Sequence, residues 1–166
     1  DTDPTLTYQI TSGSLAFSDA FSGALTRVAG ENVGDYQIQQ GTVALNANYT
    51  LTYVPANLTI GLKTINVTAE AKSKTYGDSD PALTYLFSPA LIGSDAFTGA
   101  LTRVAGEAVG TYAIQQGTLA LSTNYTLNYT GALLSIGLRA VEITADAKSK
   151  TYGETDPALT YQITSG

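Results

Sequence analysis

Apolar and polar residues alternate along most of this chain in short runs, and glycine, proline, asparagine and aspartate separate one run from the next. Ile65, Val67 and Ala69 alternate with Asn66, Thr68 and Glu70, which predicts a strand with one buried face; residues 72–76 extend it. Gly77, Asp78, Ser79, Asp80 and Pro81 then form a turn cluster, with Pro81 holding the residue before it extended. Leu83 and Tyr85 restart a strand. Tyr112 with Ile114, Leu119 with Leu121, Tyr125 with Leu127 and Tyr129, and Leu134 with Ile136 follow at a spacing of two. The pattern predicts five or six strands in an all-β domain. One stretch reads two ways, because Phe97, Leu101 and Val104 fall at helical spacing behind Ser94 or Asp95 as N-cap, while Gly99 and Thr102 weaken a helix. Without that helix the unit reads as a small immunoglobulin-like β-sandwich; with it, as a β-grasp-like unit carrying one short helix.

The same pattern occurs more than once. Residues 21–77 lie over residues 97–153 at a constant offset of 76 with no gap, and roughly two thirds of the positions are identical. Residues 154–166 repeat residues 1–13, differing only at Asp1/Glu154 and Thr5/Ala158. A fixed period of this kind marks a tandem array. The expected domains are 1–63, a first repeat lacking its first strand; 64–139, a complete second repeat; and 140–166, the first strand and hairpin of a third. Because the chain closes at the phase on which it opens, a longer array is expected. Only Gly61, Leu62, Lys63 and Thr64 separate one repeat from the next, too few for free tumbling. Leu62 and Leu138 are expected to pack at the junctions, and the repeats to form a semi-rigid rod. The incomplete end repeats would carry open strand edges that recruit a neighbouring chain, head to tail or by strand swapping.

Composition removes most chemistry. There is no Cys, Met, Trp or His, which excludes disulfides, thiol chemistry and the usual neutral-pH proton carrier. The net charge of −6 argues against nucleic acid, which needs a basic face. No apolar run reaches the length of a membrane span, so no membrane insertion is expected in these residues.

The strings INVTAEAKSKTYGDSDPALTY from Ile65 and ITADAKSKTYGETDPALTYQI from Ile143, followed in the second copy by GALTRVAGE, VGTYAIQQGTL and NYTLNYTGALLSI, resemble the MBG family of bacterial extracellular repeats, YGX type. Lys74, Thr75, Tyr76, Gly77, Asp78, Asp80 and Pro81 carry the signature, and Glu154 replaces its first aspartate in the third copy. The resemblance covers essentially the whole chain. It implies a module repeated in large secreted or surface-anchored bacterial adhesins, with no characteristic catalytic activity and no cofactor.

Candidate sites are few. Asp78 and Asp80, with Asp1/Asp3 and Glu154/Asp156 as equivalents, offer oxygens to Ca²⁺ if Asp95 or carbonyls complete the shell; the stronger reading is aspartate capping a turn before proline. The 11 tyrosines could grip polysaccharide or protein, but Tyr36/Tyr112, Tyr49/Tyr125, Tyr53/Tyr129 and Tyr76/Tyr152 recur at fixed phases, as packing residues do. Tyr36 and Tyr112 fit tyrosine corners. Glu31 and Glu107 with the aspartate pairs could be forced into a glycosidase dyad, yet no cleft is implied, and no residue is assigned as catalytic. An amide cross-link from Lys72 or Lys74 to an asparagine lacks an evident catalytic carboxylate. The sequons at Asn48, Asn57, Asn66, Asn124 and Asn128 are incidental to Asn- and Thr-rich strands. The expected role is therefore the non-catalytic stalk of a bacterial surface adhesin, projecting a tip. The alternative is an array that self-associates or binds polysaccharide in filament or biofilm-matrix assembly.

Overall fold

The structure, a computed structural model, describes residues 2–165. Among them there are strands and turns and no helix. Twelve strands follow in order: β1 (Thr26–Arg27), β2 (Gly34–Gln39), β3 (Ala56–Ile60), β4 (Lys63–Ala69), β5 (Lys72–Thr75), β6 (Tyr85–Ser88), β7 (Thr102–Arg103), β8 (Gly110–Gln115), β9 (Tyr125–Thr130), β10 (Ala132–Gly137), β11 (Glu142–Ala145) and β12 (Tyr161–Ser165). The chain divides into two compact units, Asp1–Lys63 with Ser122–Thr126, and Thr64–Leu121 with Leu127–Gly166.

The second repeat shows the fold in full. One sheet has the order β6-β4-β9 and the other β5-β10-β8-β7. β4 pairs antiparallel with β6, Ala69 opposite Tyr85. β10 pairs antiparallel with β8 and parallel with β5, Leu134 lying between Tyr112 and Lys72. The chain thus leaves β4 in one sheet and enters β5 in the other within two residues, Glu70 and Ala71. The inward positions of both sheets supply the core: Ile65, Val67 and Ala69 from β4, Ile114 from β8, Leu134 and Ile136 from β10, joined by Leu101 and Leu119. This is an all-β fold of tandem β-sandwich repeats.

Several expectations change in detail. The second repeat has seven strands rather than five or six, because β5 separates from β4 to pair with β10 in the other sheet and β7 adds a two-residue edge. Phe97, Leu101 and Val104 do not share a helical face: Leu101 is buried while Val104 is exposed. Gly99 sits at φ +73°, and a Cβ there would meet the Thr118 carbonyl oxygen at 2.0 Å, so the chain folds tightly back on residue 118. Thr98 pairs with Ala120 in an isolated bridge, which is all the strand character that the Leu119 to Leu121 run acquires. Leu62 and Leu138, expected to pack at the junctions, are 54% and 83% exposed. Each lies in the short connection after a strand that has ended, where no buried face is set by the pleat.

In the first repeat β1, β2 and β3 form one antiparallel sheet, the counterpart of β7, β8 and β10. Its residues 2–21 and 45–55 contain no strand, although the matching segments of the second repeat hold β6 and β9. The third segment is the hairpin of β11 and β12, antiparallel with a register shift at Glu142/Ile143.

Candidate site: an ionic clamp on the signature turn

The turn after β5 brings Lys74 and Asp80 to the start of the loop that follows β7. Lys74 Nζ lies 2.6 Å from Asp80 Oδ1 and 2.5 Å from Glu107 Oε2, with only 4% of its side chain exposed. Arg103 grips Asp80 with two bonds, Nε to Oδ2 at 2.5 Å and Nη2 to Oδ1 at 3.0 Å, and Nη2 also bonds Glu107. Its Nη1 donates to the carbonyls of Val104 at 3.0 Å and Gly106 at 2.6 Å. Planar, five-donor geometry is what makes arginine suited to this fork. The guanidinium also sits over the Tyr112 ring, 5.5 Å from its centroid, and the Tyr112 hydroxyl donates to the Ala108 carbonyl at 2.8 Å, the bond of a tyrosine corner. Gly106 completes the packing: at φ +148° it passes so close to that ring that a Cβ would fall 2.1 Å from Tyr112 Cε1.

The first repeat builds the same arrangement. Arg27 bonds Asp3 through Nε at 2.5 Å and Nη2 at 2.9 Å, Glu31 at 2.6 Å, and the Val28 and Gly30 carbonyls. It lies over Tyr36, whose hydroxyl donates to the Asn32 carbonyl at 2.7 Å. In the third segment Lys150 bonds Asp156 and, at 3.3 Å, the Glu154 carbonyl, while the Glu154 side chain accepts the Thr151 N–H at 3.1 Å. Asp1 lies outside the described residues.

Electrostatics follow from the pairing. Hydrogen bonds from Arg103 and Lys74 hold the Asp80 carboxyl at about 2, below its ordinary 3.8. The same two cations lower Glu107, and Asp80 with Glu107 raises Lys74. Two cations thus face two carboxylates and each favours the charged form of the other. Such a site fixes a turn; it does not poise a proton near neutrality. An amide cross-link from Lys74 to an asparagine would need an uncharged amine against a carboxamide carbon, whereas Lys74 Nζ here lies on two carboxylates, Asp80 and Glu107, which raise its pKa and favour the ammonium. Lys72 pairs with Glu70 at 3.6 Å.

The other candidates fall elsewhere. Asp78 closes its turn through the backbone, its N–H donating to the Thr75 carbonyl at 3.0 Å, and its carboxylate lies 3.5 Å from Arg139. Asp95 makes a turn bond to the Ile92 carbonyl at 3.0 Å. Among the described residues no three acidic side chains converge as metal ligands would. Tyr53 and Tyr129 hydroxyls donate to the Ile38 and Ile114 carbonyls at 2.8 and 3.0 Å, and burial pushes Tyr129 upward. Tyr49 donates to Asp19 at 2.8 Å and accepts the Ala16 N–H at 2.7 Å. These tyrosines are committed to the fold. Asn124 is too: in the first unit its side chain accepts from Val33 N–H at 3.0 Å and donates to Asn32 at 2.9 Å.

The lysine and aspartate that flank YGD, and the arginine and glutamate of LTRVAGE, thus hold one corner together, and the MBG domain (YGX type) matches residues 1–59, 65–135 and 141–166. The chain belongs to the MBG domain family. MBG domains are structural repeats of bacterial surface proteins and are not known as an enzyme family. No curated protein and no solved structure matches this chain. In this MBG array the arginine was the residue that sequence reasoning passed over. Its signal was present, since both copies carry the identical run ALTRVAGE with a tyrosine nine residues after the arginine.

Proposed function

We propose that this chain is a length of spacer in the stalk of a bacterial extracellular adhesin, and that its repeats carry distance and stiffness rather than catalysis. The observation that carries the reading is the connection between repeats: β3 ends at Ile60 and β4 begins at Lys63, so Gly61 and Leu62 alone link one strand to the next. A two-residue connection leaves little freedom between modules, and a near-identical repeat lets length scale with copy number. The chemistry agrees, because the charged cluster closes on itself and Tyr36, Tyr53, Tyr112 and Tyr129 donate to backbone carbonyls of their own repeats.

Small-angle scattering on chains of two, three and four repeats, extrapolated to infinite dilution, tests this. The maximum dimension is expected to grow by a constant increment per repeat. Growth that falls off as for a flexible chain, with the square root of repeat number, would overturn the spacer reading.

A further inference from the structure

We propose that the peptide bond between Asp80 and Pro81 is a guarded scissile bond, cut in acid by the Asp80 carboxylate itself once Arg103 and Lys74 release that carboxylate. The proposal stands on the geometry of the clamp and does not depend on the spacer reading.

The clamp accounts for Lys74, Asp80, Arg103 and Glu107, but not for the proline that follows the aspartate. Pro4 after Asp3, Pro81 after Asp80 and Pro157 after Asp156 stand at the same phase of the repeat. An aspartate before a proline brings two chemical features together. Its carboxylate can close a five-membered ring onto its own peptide carbonyl, so the attack is intramolecular and needs no second residue. The group expelled is a proline nitrogen, which belongs to a tertiary amide and takes up a proton more readily than an ordinary peptide nitrogen.

The step balances with water as its only co-reactant. An Oδ atom of Asp80 bonds to the Asp80 carbonyl carbon, the bond from that carbon to Pro81 N breaks as the nitrogen takes a proton from the acid, and a cyclic anhydride remains. Water opens the anhydride, which restores the side-chain carboxyl group beside a new C-terminal one. One fragment then ends at Asp80 and the other begins with the secondary amine of Pro81. The Asp80 side chain is 39% exposed, so water reaches it.

In the folded repeat both oxygens that could attack are taken. Oδ1 accepts from Lys74 Nζ at 2.6 Å and Arg103 Nη2 at 3.0 Å, and Oδ2 accepts from Arg103 Nε at 2.5 Å. Three bonds from cations on two strands fix the direction of the carboxylate and draw on its lone pairs, while attack needs a lone pair free to turn towards the carbonyl carbon. The charged groups around it are Lys74 from β5, Arg103 from β7 and Glu107 from the loop after β7, which shares both cations. Asp78, in the same turn, has its carboxylate 3.5 Å from Arg139. The first repeat guards its own bond in the same way, since Arg27 Nε and Nη2 hold the two oxygens of Asp3 at 2.5 and 2.9 Å. Asp80 stays ionised and paired down to about pH 2, so the guard persists in mild acid and opens when β5 and β7 come apart. A repeat that has lost its fold in acid is thereby marked for breakage at one phase, while a folded one stays whole.

The test is mass spectrometry of the 166-residue chain held at about pH 3, where an unpaired aspartate is still partly ionised, with hydrogen exchange recorded under the same conditions. The folded chain should release the fragments 1–80 and 81–166 at least about tenfold more slowly than the chain unfolded in guanidinium chloride, because the clamp withholds the free carboxylate. Arg103→Gln, which removes three of the bonds on the clamp's two carboxylates, should speed the cut at Asp80 about tenfold or more while β4 and β10 keep their protection. Should that protection be lost, Arg103→Lys gives the same reading, since it keeps a cation and loses the fork. Adding Pro81→Ala to either variant should abolish the cut, because the leaving nitrogen is then an ordinary amide. An unaltered folded chain cut as fast as the unfolded one, a folded Arg103 variant that stays whole, or a cut that survives Pro81→Ala would each overturn the proposal.

Discussion

Leu58 and Leu134 are the same residue at the same phase of the repeat, and they should respond unequally to truncation. Leu134 in β10 has a strand on each side and is 0% exposed. Leu58 in β3 has β2 on one side, opposite Tyr36, and is partly exposed. Removing a fully buried leucine side chain to alanine costs about 3–4 kcal/mol, the transfer of the lost methyl groups plus the cavity they leave. At a partly exposed position that can collapse, roughly half of that is expected. Hydrogen exchange resolves the two repeats separately, since each amide reports the opening of its own cooperative unit. With about 1.4 kcal/mol per factor of ten, Leu134→Ala should speed exchange in β8 and β10 by a few hundredfold. Leu58→Ala should speed exchange in β2 and β3 by about tenfold to thirtyfold on the same scale. Equal acceleration in both repeats, or a larger effect at Leu58, would refute the assignment of the core to the sandwich of β4, β8 and β10.

Three further outcomes follow from the clamp. Asp80 is held at about 2 against an ordinary 3.8, so its contribution to stability is fully present above about pH 4 and is lost as pH falls towards 2. Carbon-detected NMR titration should place its midpoint there, and a midpoint near 3.8 would remove the basis for the clamp. Arg103→Lys retains the charge but gives up the fork and the contact over Tyr112; the Asp80 midpoint should move up towards its ordinary value, and no movement would mean that Lys74 alone sets it. Gly106→Ala and Gly110→Ala both impose a side chain on a positive φ, a strain of about 1–3 kcal/mol. Only at Gly106 does the new Cβ also run into Tyr112, whereas at Gly110 nothing lies within 4 Å, so thermal melts should show Gly106→Ala lower by about a further 1–3 kcal/mol.

What the sequence disclosed was whatever depends on period. The alternation of Ile65, Val67 and Ala69, and of Leu134 and Ile136, named most of the core correctly, because a pleated strand sends every second side chain to one face. The turn at Asp78 was legible from its residue types. Strand pairing was not: nothing local tells that β5 will leave the sheet of β4 and run parallel to β10. Leu119 is buried at 2% without belonging to a strand, since it is placed by a bridge from residue 98 to residue 120 rather than by a pleat. The clamp was half visible. Lys74 and Asp80 stood out in the signature, but Arg103 and Glu107 reach them only because the turn after β5 and the loop between β7 and β8 lie at the same end of one sheet, a relation between distant segments that spacing along the chain does not encode.

The parallel pairing of β5 with β10 gives the repeat a mechanical character. Near its start the repeat passes through β5 and at its end through β10, and these strands run side by side in the same direction, Lys72 opposite Leu134 and Thr75 opposite Gly137. Once β4 has come away from β6 and β9, tension drawn along the chain pulls β5 from its first residue and β10 from its last, so the two slide against each other along their length. Their ladder is then loaded in shear, with all its hydrogen bonds resisting together, instead of being peeled open one bond at a time as a hairpin pulled from its ends would be.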